Sequence, residues 1–151
     1  MEGIVKKLNE LLSNLEVMNI KLQNYHWNVV GKGFFTTHEK LEEYYDKVRE
    51  QIDEVAEHIL ALGYQPLGTM QDFTENAIIR EAKNEKIKSI EIMENVIHDL
   101  DELKQKVIQI KQIAEEKECY GTSALMDDYL ADCSKKNMDV KISPKQINTI
   151  I

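Results

Sequence analysis

The sequence predicts an all-α fold, four long helices in a bundle with one long crossover between the second and the third. Three observations point there. Apolar residues recur at alternating spacings of three and four along most of the chain, the period of one buried helical face. Only six Gly and two Pro interrupt 151 residues, too few for the turns of a sheet protein. A composition 42% hydrophobic and 30% charged suits helices with one apolar and one charged side. The length is that of one ordinary domain, read here as residues 1–151 with a frayed tail from about 139, and it buries a core without disulfides or structural metal.

The first helix carries Ile4, Leu8, Leu11, Leu15, Met18, Leu22, Tyr25 and Val29 on one face, and Gly31 and Gly33 end it. Thr36 stands three residues before Glu39, a capping-box spacing, ahead of a second stripe of Leu41, Tyr45, Val48, Ile52, Val55, Ile59 and Leu62. Gly63 and Pro66 stop that helix. The segment GYQPLGTMQDFTEN is longer than a tight helical hairpin needs, so it crosses the bundle and has room for a short helix of its own. A third helix is expected from about Asn76 to Lys117, with Ile90, Met93, Ile97, Leu100, Leu103, Val107, Ile110 and Ala114 inward. Thr122 or Ser123 then caps a fourth helix, and Pro144 limits it. Four helices with one long crossover describe a ferritin-like bundle.

The formal charge of −8 works against attraction of nucleic acid or anionic lipid over the whole surface, leaving only local basic patches. No apolar run reaches the ~20 residues of a membrane span. The N-terminal MEGIVKKLNELL lacks the apolar block and cleavage site of a signal peptide, so a cytoplasmic address is expected. Cys119 and Cys133 lack metal-ligand spacing and read as free thiols.

Three of the four histidines fall between Tyr25 and His58, among many carboxylates. His26, His38, Glu42, Asp53 and Glu57 are the candidate metal ligands, because imidazole and carboxylate together suit iron and similar divalent metals. At 100° per residue the members on the second helix share an arc of about 100°, yet His38 and Asp53 stand ~22 Å apart along the axis, far beyond metal bonds of ~2 Å. One helix cannot bring them together. His26 and His38 flank the same loop, so an antiparallel pair puts both imidazoles at one end, with Asp53 and Glu57 toward the other. Two copies of the second helix crossing antiparallel near Asp46 or Lys47 would level His38 and Glu42 of one with Asp53 and Glu57 of the other, giving two identical sites per dimer. No Glu stands three residues before any histidine, so the Glu-x-x-His motif of single-chain di-iron bundles is absent. His58 and His98 read as ordinary surface or capping residues, and Glu39, Glu43, Asp46, Glu50 and Glu54 as a solvated face or a cavity lining.

The stretch NYHWNVVGKGFFTTHEKLEEYYDKVREQIDEVAEHILALGYQP resembles the signature region of the Dps family, the twelve-subunit miniferritins, with the match strong from about Leu8 to Glu81. The resemblance implies a hollow homododecamer that oxidises Fe(II), characteristically with hydrogen peroxide, and stores ferric mineral. It implies His26 and His38 as ligands from one subunit, Asp53 and Glu57 from its two-fold partner, and Glu42 as an additional or second-metal ligand. Two irons per site and no organic cofactor are expected. Trp27 is similar to the family tryptophan and would intercept stray oxidising equivalents; equally it is an aromatic packed near the contact between copies. Asp127 and Asp128 are candidates for the three-fold entrance. Some family members bind DNA through a basic terminus. Here the N-terminus offers only Lys6 and Lys7, within the first helix, and the C-terminal KKNMDVKISPKQINTII carries Lys135, Lys136, Lys141 and Lys145 against Asp139. A nucleoid-protecting DNA binder with secondary iron chemistry is therefore the alternative function.

Overall fold

The structure, a computed structural model, describes the backbone of residues 1–149 and the side chains of residues 1–138. Its elements are α1 (Glu2–Asn28), β1 (Val29–Val30), α2 (Phe34–Ala61), α3 (Met70–Asn76), β2 (Ile87–Lys88), α4 (Ser89–Glu116) and α5 (Tyr120–Thr149). α1 packs chiefly on α2 and α4 on α5, two helical hairpins joined by the crossover that holds α3. This is the expected four-helix bundle.

All eight predicted positions of α1 are buried, Ile4 through Val29. Each fully buried Leu, Ile or Met is worth about 1.5–3 kcal/mol over its exposed state, whereas differences in helix propensity stay below ~1 kcal/mol per ordinary residue. The stripe therefore decides the fold. Leu103 and Ile110 on α4 and Met126 on α5 complete the centre. On α2 the buried face is turned slightly from the expected one: Leu41, Val48, Val55 and Ile59 are inside, joined by Tyr44 and Gln51, while Tyr45 and Ile52 sit half-buried at its edge.

The helix ends differ in instructive ways. α2 begins at Phe34, ahead of the Thr36 box, because Gly33 takes a φ of 79° and its carbonyl already accepts from Thr37 N at 2.9 Å. α2 ends as expected on Gly63, whose φ of 89° lets Tyr64 N reach back to the Ile59 carbonyl. α4 closes with the same motif, built on Glu118 at φ 56°: Cys119 N donates to Ala114 O at 2.7 Å and Glu118 N to Glu115 O at 3.1 Å. α5 then starts at Tyr120, before the expected caps Thr122 and Ser123, and it continues past Pro144. A proline removes one helical hydrogen bond and bends a helix without having to end it.

The largest correction concerns the third long helix, which starts at Ser89 and not near Asn76. α3 ends at Asn76, and residues 77–86 follow an irregular path held to α1 by an asparagine. Asn14, fully buried, accepts from both Ile78 N (2.9 Å) and Ile79 N (3.1 Å), and Asn9 accepts from Leu67 N (3.0 Å). Those amides find their partners on α1 and need no helix of their own. Ile90, expected inside, is 54% exposed, and Ile92 and Val96 take the inward positions. The short parallel ladder of β1 and β2, with Val29 opposite Ile87, ties the α1–α2 junction to the start of α4. Thr37 and Ser89, both buried, hydrogen-bond through their hydroxyls and add a second tie at the same level.

Candidate metal centre

The α1–α2 turn brings His26 and His38 into direct contact. Their rings stack with centroids 3.6 Å apart and planes 14° from parallel. His26 Nδ1 lies 2.6 Å from the His38 carbonyl oxygen, and His38 Nδ1 lies 2.7 Å from the His26 carbonyl oxygen. A carbonyl only accepts, so each Nδ1 carries the proton and donates. With each Nδ1–H committed to a carbonyl, Nε2 is the ring nitrogen left to offer a lone pair, the arrangement that presents imidazole to a metal.

Aromatic neighbours hold the pair. Phe34 stacks on His38 with centroids 5.1 Å apart, and Tyr45 meets His26 edge-on at 5.4 Å. Arg49 lies over the Tyr45 ring at 4.4 Å, and its guanidinium donates to Asn19 Oδ1 (3.0 Å) and Gln23 Oε1 (2.7 Å) of α1. The Tyr45 phenol is held above its ordinary pKa by desolvation, with the carboxylates of Glu42 and Asp46 adding to the rise and Arg49 opposing it. Composition did not single out Phe34, Tyr45 or Arg49 as part of the centre. Their spacing could have: Phe34, His38, Tyr45 and Arg49 follow one another at four, seven and four along α2.

The other expected ligands stand elsewhere. Glu42 is exposed one turn beyond His38, and Asp53 and Glu57 are exposed farther along α2, Asp53 ~22 Å from His38 by helical rise. Among the described residues, no three His, Cys, Asp or Glu side chains converge to hold a metal ion within one chain. Trp27 is 67% exposed and Phe35 81%, two large apolar faces beside the histidines. Of the entrance candidates, Asp127 is paired with Lys111 at 2.8 Å, and Asp128 is exposed.

The sequence profile of the ferritin-like domain matches residues 5–140. The chain is 34% identical over 129 residues to the "DNA protection during starvation protein" of Listeria monocytogenes, covering 85% of this chain and 83% of the relative. The chain belongs to the Dps family. Among solved structures, this Dps-family chain superimposes on Dps from Vibrio cholerae O1 with a TM-score of 0.90 at 33% identity, covering 93% of this chain and 88% of that one. That protein is described as a member of a broad superfamily of ferritin-like diiron-carboxylate proteins. Dps from Bacillus brevis matches with a TM-score of 0.90 at 31% identity over 93% of this chain and 94% of that one.

His58 Nε2 meets Thr122 Oγ1 at 2.8 Å, joining the end of α2 to the start of α5, and burial lowers its pKa. Cys119 and Cys133 are free, and burial pushes the Cys133 thiol up to about 12. The pairs Lys40–Glu43, Lys47–Glu50 and Asp46–Arg49 are solvent-exposed and worth at most about 1 kcal/mol each. Among the described residues, no helix is long and apolar enough to cross a membrane.

Proposed function

We propose that this chain is a cytoplasmic ferroxidase and iron store: copies of it take up Fe(II) at centres shared between two-fold partners, oxidise it, and deposit the ferric product inside a twelve-subunit shell. The observation that carries this reading is the reciprocal Nδ1–carbonyl pairing of His26 and His38, which leaves the two Nε2 atoms as the only ring nitrogens able to bind a metal, while among the described residues no third His, Cys, Asp or Glu of the same chain converges with them. A second copy of α2, crossing antiparallel near Asp46 and Lys47, would bring its own Asp53 and Glu57 level with those nitrogens, and Glu42 would serve an additional iron. Trp27 and Phe35 supply apolar surface that such a partner would cover.

Iron is the substrate. Carboxylate oxygens favour Fe(III) over Fe(II) and lower the barrier to electron loss. Two Fe(II) each give one electron to one hydrogen peroxide, whose O–O bond breaks; two protons complete two waters, and no hydroxyl radical is released. Dioxygen is the alternative oxidant. Trp27, exposed next to His26, can take up an oxidising equivalent that escapes the pair.

The test mixes anaerobic Fe(II) with stoichiometric peroxide and follows ferric absorbance for the native protein, for Asp53→Ala and His38→Ala assembled separately, and for the two variants co-assembled. Each variant alone is expected to be inactive. Random co-assembly is expected to restore about a quarter of the sites, since half the dimers are mixed and each mixed dimer keeps one intact half-and-half centre. No recovery would overturn the shared centre.

The relative's name supports a second reading, DNA protection. Lys6 and Lys7 lie within α1, and Lys136 is buried and paired with Asp132 at 2.9 Å, which removes it from the basic tail. The side chains of Lys141 and Lys145 lie outside the described residues. A gel shift at low salt separates the readings: retardation that fades steeply as salt rises supports DNA binding.

A further inference from the structure

The middle of α2 carries one acid and one base on the same face as the candidate ligands. Measured around the helix from His38 at 100° per residue, Arg49 lies at about 20°, Glu42 at about 40°, Asp53 at about 60°, Asp46 at about 80° and Glu57 at about 100°. Between Glu42 and Asp53, only Asp46 and Arg49 fall inside that arc, and both are exposed, their side chains 62% and 48% accessible. The ligand face is therefore bridged at its centre by one carboxylate and one guanidinium, a turn apart.

Arg49 is fixed before any partner arrives. Its Nε donates to Asn19 Oδ1 at 3.0 Å, one terminal nitrogen donates to Gln23 Oε1 at 2.7 Å, and the guanidinium carbon lies 4.4 Å from the centre of the Tyr45 ring. These partners are neutral, and the other terminal nitrogen stands 3.7 Å from the Asp46 carboxylate of the same chain, beyond hydrogen-bond length. The cation is held in place without being matched. An exposed ion pair is ordinarily worth little because two side chains must be ordered to make it; here the longer one is already ordered. Ile20 and Trp27, 42% and 67% exposed, stand within about 100° of Asn19 and Gln23 around α1. A partner covering them would exclude water from the pair and strengthen it. Arg49 is one of two arginines in the chain, and a planar guanidinium suits a covered ion pair better than the strongly hydrated ammonium the chain uses elsewhere.

The partner that fits this face is a second copy of the chain, because a two-fold axis carries each residue of a pair onto the other. In the antiparallel crossing that levels His38 with Glu57 and Glu42 with Asp53, the midpoint falls between Lys47 and Val48, and Asp46 of one copy comes level with Arg49 of the other. We propose, resting on the two-fold crossing inferred for the iron centre, that Arg49 and Asp46 set its register: each Arg49 guanidinium pairs with the Asp46 carboxylate of the other copy, twice per dimer. A slip of one helical turn would break both pairs and carry Asp53 and Glu57 about 5.4 Å along the axis from the histidines they must meet.

The test is charge complementation, read by assembly and not by activity. Asp46→Arg and Arg49→Glu are prepared separately, and each places like charges opposite one another in its own dimer. Both should stay helical by far-UV circular dichroism, since both positions are exposed. In sedimentation velocity at low salt each should dissociate at a protein concentration at least about tenfold above the native one, the gap narrowing as salt rises. Mixed in equal amounts, the variants present opposite charges across the axis. Assembly should then return close to native, and native mass spectrometry should find equal numbers of the two chains in each assembly instead of a random spread. A pair confined to one chain predicts no such recovery, because each variant keeps its own like charges a turn apart whatever its neighbour. Native-like assembly of either variant alone, no gain on mixing, or random composition would overturn the proposal. If a charge reversal unfolds the chain, Asp46→Asn and Arg49→Gln replace it: each should still weaken assembly at low salt, and native-like assembly of both would overturn the pairing. Matched assemblies that fail to oxidise Fe(II) would count against the iron centre alone.

Discussion

His26 and His38 stack face to face, 3.6 Å between ring centroids, and each Nδ1 donates to the other's main-chain carbonyl. The two hydrogen bonds cross the α1–α2 junction in opposite senses, so either ring fixes the backbone that orients the other. Removing one imidazole thus deletes a proposed ligand and loosens its neighbour. His38→Gln and His26→Gln are each expected to lower the initial rate of peroxide-driven Fe(II) oxidation, and the affinity for Co(II), at least about ten- to a hundredfold. Stopped-flow absorbance and Co(II) titration measure both. A native-like rate in either variant would remove these rings from the chemistry.

Lys21 and Asp99 make a buried ion pair between α1 and α4, Nζ to Oδ2 2.7 Å, with both side chains under a tenth exposed. Burial raises the Asp99 carboxyl above its ordinary range even though Lys21 pulls it down. Breaking such a pair on one side costs about 3–5 kcal/mol. A cleft of about 300 Å³ beside the pair lets water reach the orphaned charge, which favours the lower end, about 3 kcal/mol, for Lys21→Met. The double variant Lys21→Met/Asp99→Leu is expected to lose much less, since no charge is left behind. Urea midpoints at pH 7 measure both, and equal losses would refute the pairing. The single variant should also regain stability as pH falls, because the folded chain binds a proton at Asp99 more readily than the unfolded one does.

The His58–Thr122 contact has the opposite dependence on pH. Burial lowers the His58 pKa below its ordinary 6.5, so between those two values the folded chain binds fewer protons than the unfolded chain. Stability contributed by the neutral ring is complete above pH 6.5 and is lost as pH falls through the lowered value. His58→Gln keeps a partner for Thr122 and removes the titration. Its urea midpoint should fall less between pH 7.5 and pH 5 than that of the native protein. Parallel pH profiles would show that His58 carries no part of the acid sensitivity.

Elements whose partners are apolar were legible in the sequence, because periodicity alone says which residues go inside. The stripe from Ile4 to Val29 is buried at every position. The start of α4 was misread because its determinant lies on another helix: Asn14 takes the amides of Ile78 and Ile79, and a contact across more than sixty residues leaves no local pattern. The centre divides the same way. Two histidines flanking one glycine loop were visible, as was the axial gap to Asp53. The locking of each Nδ1 was not, because its partner is a main-chain carbonyl, which every residue possesses.

Thr37 and Ser89 give the last prediction, and it links folding to the centre. Their hydroxyls hydrogen-bond to each other in the core, one residue before His38 and at the first position of α4. Thr37→Val keeps the shape and leaves the Ser89 hydroxyl buried without its partner, a loss of about 1–3 kcal/mol. Ser89→Ala does the converse. Thr37→Val/Ser89→Ala removes both polar groups and should recover much of that loss, so the double-mutant cycle yields a favourable coupling between the two positions. If the tie also steadies His38, Fe(II) oxidation should slow in both single variants at temperatures where they remain fully folded, and the double variant should stay slow although its stability returns. Additive urea midpoints would refute the coupling, and a rate that recovers together with stability would confine the tie to folding.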